Sequence, residues 1–407
     1  GRIHRTAPEC NSPSRPAPLY IPKPIIMISQ WYHPWAVVVI ALAVLYPSGV
    51  WGQDPSFSQF YANRIYLNPA FAGLEPGIGV SGVARMQWAR ADKGFRTYGF
   101  SADAQLPAAR IGLGLHLLKD TEGIGNLTIN QAGLVMSYTI PGKKDNVHFG
   151  MEGRLVQKTL DWSRLVFSDQ LDPVYGVVNA SSVTPALDRV FHGDFDFGVM
   201  WRHEGSIKVG GRSLRDVRSH LGLSFHHLPY LVSKSAKGND SFLNLESRLA
   251  PRTTFHGGLI IPLTILQGTG FDIALSPNFK LDMQGYRFLS FKENMTVGTI
   301  GMYGLVSNFY LGLLYQNRVY LPNALHTDAF ILTIGGYTNP RGRGNKQQPS
   351  FFFGISADIN STGVGPAAGS VFEFTFRYRF LPDASASGRL RGPNMRKNRF
   401  LDCKHFF

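Results

Sequence analysis

Three groupings of side chains carry the residue types that chemistry requires. His192, Asp194 and Asp196 alternate along one extended segment, which places them on one face of a strand. A metal would need their donor atoms within about 2.0–2.2 Å of a common point. Same-face neighbours on a strand stand roughly 7 Å apart, so solvation of a polar face is the expectation. His203 and the pair His226 and His227 raise the same question. Adjacent strand residues point to opposite faces, so the pair cannot converge unless the strand ends there, and Leu228-Pro229 marks a loop boundary. A Ser-His-Asp hydrolase would be the sharper assignment, but no G-x-S-x-G elbow is present; Gly79 to Gly82 (GVSG) reads as a small-residue strand. The pairs Gly112/Gly114 and Gly123/Gly125 lack the spacing and following helix of a phosphate loop. The expectation is a non-enzyme, with no catalytic residue, no cofactor and no metal.

What would position such residues is a long series of strands. The chain has 407 residues with 44 Gly, 29 Phe and 16 Tyr, and only 17% are charged. From Gly77 to Phe380 the sequence breaks into segments of about ten residues with period-2 hydrophobicity, separated by turns. In Asp272–Met283, for example, Ile273, Leu275, Phe279, Leu281 and Met283 oppose Asp272, Ser276, Asn278, Lys280 and Asp282. Alternation alone does not separate a soluble sandwich from a membrane barrel. Segments near ten residues match a tilted membrane span better than the shorter strands of soluble sheets. The last segment, Val371–Phe380, sets Phe372, Phe374, Phe376, Tyr378 and Phe380 on one side, an aromatic wall that suits lipid. A mean hydropathy of -0.07 agrees, because only alternate residues of a barrel meet lipid. The expected fold is all-β: a transmembrane antiparallel outer-membrane β-barrel of about fourteen strands over 77–380. With its first strand running outward, the longest gaps, 159–190 and 228–252, fall outside.

Export fits this fold. Residues 1–26 hold six prolines and are read as sequence upstream of a start at Met27. Ala36–Tyr46 is an apolar run of 11 residues, short for a membrane helix and suited to a signal-peptide core. Pro47, Ser48 and Gly49 break it, and Gly52 offers a small residue before a cut at Gln53. The region 27–52 is therefore expected to be a signal peptide, although His33 is its only basic-type residue before Ala36. Cys10 precedes the cut and Cys403 then stands alone, so no internal disulfide is expected. The net charge of +14 would suit nucleic acid, but export excludes it and points to acidic headgroups or an acidic partner. Much of the basic excess lies at Arg341–Lys346 and in the tail 381–407, which interleaves Arg and Lys with Leu390, Met395, Phe400 and Leu401.

Between signal and barrel lies 53–76. Gln53–Gly73 (QDPSFSQFYANRIYLNPAFAG) does not alternate, carries two turn-forming pairs at Asp54-Pro55 and Asn68-Pro69, and is richer in aromatics than a linker. It is expected to plug or brace the barrel. This stretch resembles the mature N-terminus of the PorP/SprF family, outer-membrane proteins of the type IX secretion and gliding machinery. The resemblance rests on Gln53, Asp54, Pro55, Phe57, Gln59 and Phe60, then on Leu67, Asn68, Pro69, Ala70 and Gly73. It continues at Asp169, Gln170, Asp172 and Pro173, a DQ-DP loop, and at Phe353–Asp358, and it ends at Cys403, where Lys404-His405 replace the family's Pro-Arg-like ending. The resemblance implies a non-enzymatic protein in outer-membrane lipid. Its implied partners are periplasmic lipoprotein components of the secretion machine and cargo bearing the type IX C-terminal domain. The alternative is a porin or substrate-specific channel, its lumen lined by Glu152, Arg154, Lys158, Asp194, Asp196, Lys280, Glu373, Arg377 and Arg379.

Overall fold

Alternation becomes a closed wall. The computed structural model describes residues 54–88, 90, 94–182, 187–209, 212–229, 241–242, 249–263, 273–285, 294–306, 308–318, 327–338, 350–360 and 369–380. Fourteen antiparallel strands form the barrel. They are β1 (Ile78–Gln87), β2 (Phe95–Leu106), β3 (Ile111–Glu122), β4 (Leu127–Pro141), β5 (Asp145–Thr159), β8 (Arg189–Val209) and β9 (Arg212–His226). The second half comprises β10 (Arg252–Pro262), β11 (Ile273–Gln284), β12 (Met295–Val306), β13 (Phe309–Arg318), β14 (Thr327–Thr338), β15 (Ser350–Asn360) and β16 (Val371–Phe380). Each strand pairs with its sequence neighbours, and β1 closes on β16 from Ile78↔Phe380 to Met86↔Phe372. Closure leaves no strand edge unpaired, the condition for a sheet in hydrocarbon. Two short strands, β6 (Leu171–Asp172) and β7 (Gly176–Val177), pair separately within the loop between β5 and β8.

The two faces sort as the alternation requires. Leu113, Leu134, Leu155, Ile300, Leu313, Ile334 and Phe374 are exposed on the outside, where a soluble protein would not tolerate so continuous an apolar belt. Inward residues of the wall include His116, Glu152, Arg154, Asp196 and Glu373, all buried. Among the described residues no helix is long and apolar enough to cross a membrane; the strands do so. The long connections 160–188 and 227–251 share one end of the barrel, called here the loop end. The tight turns 107–110 and 142–144 share the other. Long loops face outward in bacterial barrels.

Boundaries differ from the sequence expectation in three places. The alternation marks a strand over 110–118, and β3 continues beyond it to Glu122, because charges near a barrel rim need not end a strand. Glu204–Asp216 was expected to be a connection; instead β8 and β9 carry their ladder through a register shift near Gly205 out to Val209↔Arg212. The turn expected between 302 and 306 lies after Val306, where Asn308 supplies turn chemistry.

Candidate functional site

The lumen is occupied by the chain's own lead segment. Residues 57–61 and 63–75 are buried, in part as the one-turn helix α1 (Arg64–Leu67) and a 3₁₀ turn at Pro69–Phe71. The segment enters at the loop end. The Asp54 carboxylate meets His227 Nε2 at 2.8 Å and Arg252 Nη1 at 3.0 Å, and its N–H donates to Gln284. These partners lie past the end of β9, at the start of β10 and at the end of β11. The segment leaves at the turn end, where Ser137 near the end of β4 donates to the Ala72 carbonyl, and the Gly73 N–H donates to Asp103 near the end of β2.

Between these ends each wall contact has a local cause. The N–H groups of Ser58 and Gln59 donate to the two oxygens of Glu373, each at 2.9 Å. The Ser58 hydroxyl donates to Asp358 at 2.6 Å, and Arg85 binds both carboxylates. Gln59 Oε1 accepts from Tyr310 and Thr375. Asn68, fully buried, accepts from the Ala70 N–H and so caps the 3₁₀ turn, while its amide donates to the carbonyls of Val199 and Leu223. Pro69 at the first position of that turn needs no donor partner. The Pro55 carbonyl accepts from Tyr66, whose ring packs edge-on against Phe57. Lys280 Nζ lies 5.5 Å from the centre of the Phe60 ring. Phe60, Tyr61, Leu67, Ala70, Phe71 and Leu74 form one apolar cluster with the inward-facing Met200, Tyr303, Tyr310, Leu314 and Ile331.

Two glycines allow backbone to touch backbone. A Cβ on Gly150 would fall onto the Pro69–Ala70 peptide, and one on Gly112 onto the Ala72 carbonyl. Gly73, opposite Gly112, also has φ +59°, a left-handed conformation that favours glycine.

Charge is matched at both ends of the segment. At the turn end Glu75 binds Arg64, Arg377 Nη2 at 3.1 Å and Arg379 Nε at 2.7 Å. Burial alone would raise the Glu75 carboxyl, but the three guanidinium groups hold it well below the ordinary range. At the loop end burial opposes the charge on Asp54, yet His227 and Arg252 hold its carboxyl down. His227 is held up to about 9: burial would lower it, and Asp54 and Asp194 together outweigh burial.

His226 and His227 sit where β9 ends, the one placement in which adjacent residues can reach the same charge cluster. His226 is the last residue of β9, and His227 turns back with φ +62°. His226 Nδ1 meets Asp196 at 2.7 Å and His227 Nδ1 meets Asp194 at 2.6 Å, with Arg154 bridging both carboxylates at 2.6 and 2.9 Å. Among the described residues no group of three has the convergence a metal requires. Ser224 Oγ lies 3.1 Å from His226 Nε2, so Ser224, His226 and Asp196 have the spacing of nucleophile, base and orienting acid. A motif search could not find this arrangement, because its members come from two strands. Its hydroxyl is 2.8 Å from the Leu67 carbonyl and donates to it, and Ser224 is fully buried beneath the lead segment. This group holds the segment in place.

The remaining residues singled out from sequence lie apart. Asp169, Gln170, Asp172 and Pro173 sit in the loop after β5. The Asp172 carboxylate accepts the N–H groups of Val174 and Tyr175, Asp169 accepts from Ser182, and Gln170 accepts from the Phe167 N–H. Backbone donors lower both aspartate carboxyls, so the motif shapes a loop. It is not joined to the lumen. Gln53, Cys403 and the basic stretches 341–346 and 389–404 lie outside the described residues. The inward apolar patch on β12, β13 and β14 was missed, although its signal was present: Tyr303, Leu305, Tyr310, Leu314 and Ile331 are apolar on the face that should be polar.

Comparison with known proteins gives one sequence match of wide extent. The family described as type IX secretion system membrane protein PorP/SprF matches residues 50–378. No curated protein matches. Solved structures give a likeness of fold only. The CymD monoaromatic hydrocarbon channel has TM-score 0.37 and 10% identity, covering 81% of this chain and 96% of that one. Omp33 of Acinetobacter baumannii has TM-score 0.36 and 8% identity, covering 76% and 100%. A Pseudomonas aeruginosa FadL homologue has TM-score 0.37 and 12% identity, covering 77% and 93%.

Proposed function

Because the chain belongs to the PorP/SprF family of type IX secretion system membrane proteins, we propose that this outer-membrane barrel is a non-enzymatic scaffold. In this reading it helps cargo with the type IX C-terminal domain reach or stay on the cell surface. The outer connections 159–190 and 228–252 receive cargo, and the inner turns and basic tail dock periplasmic lipoprotein components. The observation that supports this reading is the occupied lumen. A transporting pore spends its inward polar groups on solute or water, whereas here Glu373, Asp358, Arg85 and Arg379 are spent on Ser58, Gln59 and Glu75. A barrel filled in this way offers its rims and loops for work.

The test is the surface proteome of the source organism with and without the gene. Selective loss of one or a few proteins bearing the C-terminal domain is expected. An unchanged surface set would refute the scaffold. Planar-bilayer recordings address the channel alternative: the full chain is expected to conduct little, and steady porin-like conductance would favour the channel.

A further inference from the structure

One sector of the outer wall differs from the rest. The registers of β2, β3, β4, β5 and β8 align their outward residues in transverse rows. The row nearest the loop end begins with Arg96, passes through three threonines and ends with Arg189. The next row runs Tyr98, Lys119, Asn130, Gln157, Phe191, and the row below it is apolar except where Ala132 and Gly193 leave gaps. The result is a concavity of about 780 Å³ on the outside of the barrel, with Tyr98, Leu117, Leu155 and Phe191 for walls.

Arg96, Lys119 and Arg189 are exposed. None faces a carboxylate in these rows, and among the described residues no ion pair involves them. Continued onto β1 and β16, the Arg96 row presents Met86 and Phe372 outward. A cation on a lipid-facing wall costs about 2–4 kcal/mol at mid-depth and little near the interface. Three unpaired cations gathered at the rim of an apolar groove therefore complement an anionic headgroup above an acyl chain.

We propose that this sector binds a phosphate-bearing glycolipid of the outer leaflet. Its phosphates sit on Arg96, Lys119 and Arg189, and one acyl chain fills the groove over Ala132. Tyr98 and Phe191 flank the headgroup at the interface, where aromatic rings are favoured. The inference does not depend on what the loops or the tail bind.

The experiment uses the full chain purified in mild detergent, stripped of lipid and titrated with diphosphoryl lipid A, with bound lipid read by native mass spectrometry. Arg96→Gln/Lys119→Gln/Arg189→Gln is expected to lower affinity by about a hundredfold. Ala132→Phe, which leaves the charges intact and fills the groove, is expected to lower it by about tenfold. The three side chains are exposed and, among the described residues, form no ion pair or hydrogen bond, so both variants should keep the heat-modifiable gel mobility of a folded barrel. Equal binding by the wild type and the triple variant would overturn the proposal. Displacement of the lipid by millimolar inorganic phosphate would assign the cations to free phosphate and also overturn it. So would loss of a co-purifying protein from the triple variant with lipid binding unchanged, which would make the sector a protein contact.

Discussion

Neutralising Glu75 should release the lower end of the lead segment. Glu75→Gln keeps size and shape but removes the carboxylate that Arg64, Arg377 and Arg379 share; Asp103 remains at 3.4 Å from Arg379. Breaking a buried ion pair by removing one partner costs about 3–5 kcal/mol, because the orphaned charges stay buried. At 1.4 kcal/mol per factor of ten, local opening should become about two to three orders of magnitude more frequent. The amides of Ala72 and Gly73, bonded to Pro69 and Asp103, report it by hydrogen exchange in nanodiscs. Adding Arg377→Met to Glu75→Gln should restore part of the protection, since one orphaned cation then disappears. Acidification supplies the same test without mutation. Glu75 has a depressed carboxyl in the folded protein, so its contribution is complete above the ordinary glutamate range and fades only as pH falls through the lower folded value. Protection should therefore survive to about pH 4.5. Unchanged exchange in Glu75→Gln, within about threefold, would refute the view that this charge cluster anchors the segment.

Other perturbations probe the same contacts. His227 is held up to about 9, so its stabilisation of Asp54 is complete below the ordinary histidine range and is lost as pH rises through about 9. The gap in thermal unfolding between wild type and His227→Gln should accordingly shrink from pH 7 toward pH 10. Gly150→Ala forces a Cβ onto the Pro69–Ala70 peptide and should cost about 1–3 kcal/mol. Gly153→Ala on the same strand meets nothing within 4 Å and should be neutral, and equal effects on the heat-modifiable band would contradict this packing. Asn68→Ala removes the 3₁₀ cap and leaves the wall carbonyls of Val199 and Leu223 without that donor, which should cost about 1–3 kcal/mol in thermal unfolding.

Much of the wall was legible because a barrel strand has two solvents and a period of two. In β11, Ser276, Asn278, Lys280 and Asp282 alternate with apolar residues, and both the strand and its inward face could be read directly. The lead segment was legible only as an ordered exception, since its partners are distant in sequence: Ser58 and Glu373 are 315 residues apart. Nothing local in the sequence encodes such a contact. Boundaries were less legible: β3 runs on past Lys119 and Asp120 to Glu122. The strand end beside His226 and His227 was legible from Leu228-Pro229, but the partners the pair meets were not, because the turn at His227 uses a left-handed residue that is not glycine. The apolar inward residues of β12 to β14 were the strongest overlooked clue. Ile331 and Leu314 would be costly in a water-filled lumen, and their presence calls for an apolar filling such as Phe60 and Leu67.

The seam between β1 and β16 joins residues about 300 positions apart, and closing so long a loop is the least local step in forming the barrel. The lead segment is bound at this seam from both sides. Glu373 on β16 accepts from Ser58 and Gln59, Arg85 on β1 reaches Ser58 and Glu373, and Arg379 on β16 holds Glu75 just before β1 begins. A lumen segment that met only the middle strands would stabilise a barrel already closed. One whose polar contacts span the first and last strands also lowers the free energy of closure, since the ladder and the filling form on the same residues. The segment also buries Glu373 and Asp358 with Arg85 close by, which an empty barrel would leave facing water. The lead segment therefore contributes to the stability of the wall that surrounds it. Removing it should be felt in assembly before it is felt as an open pore.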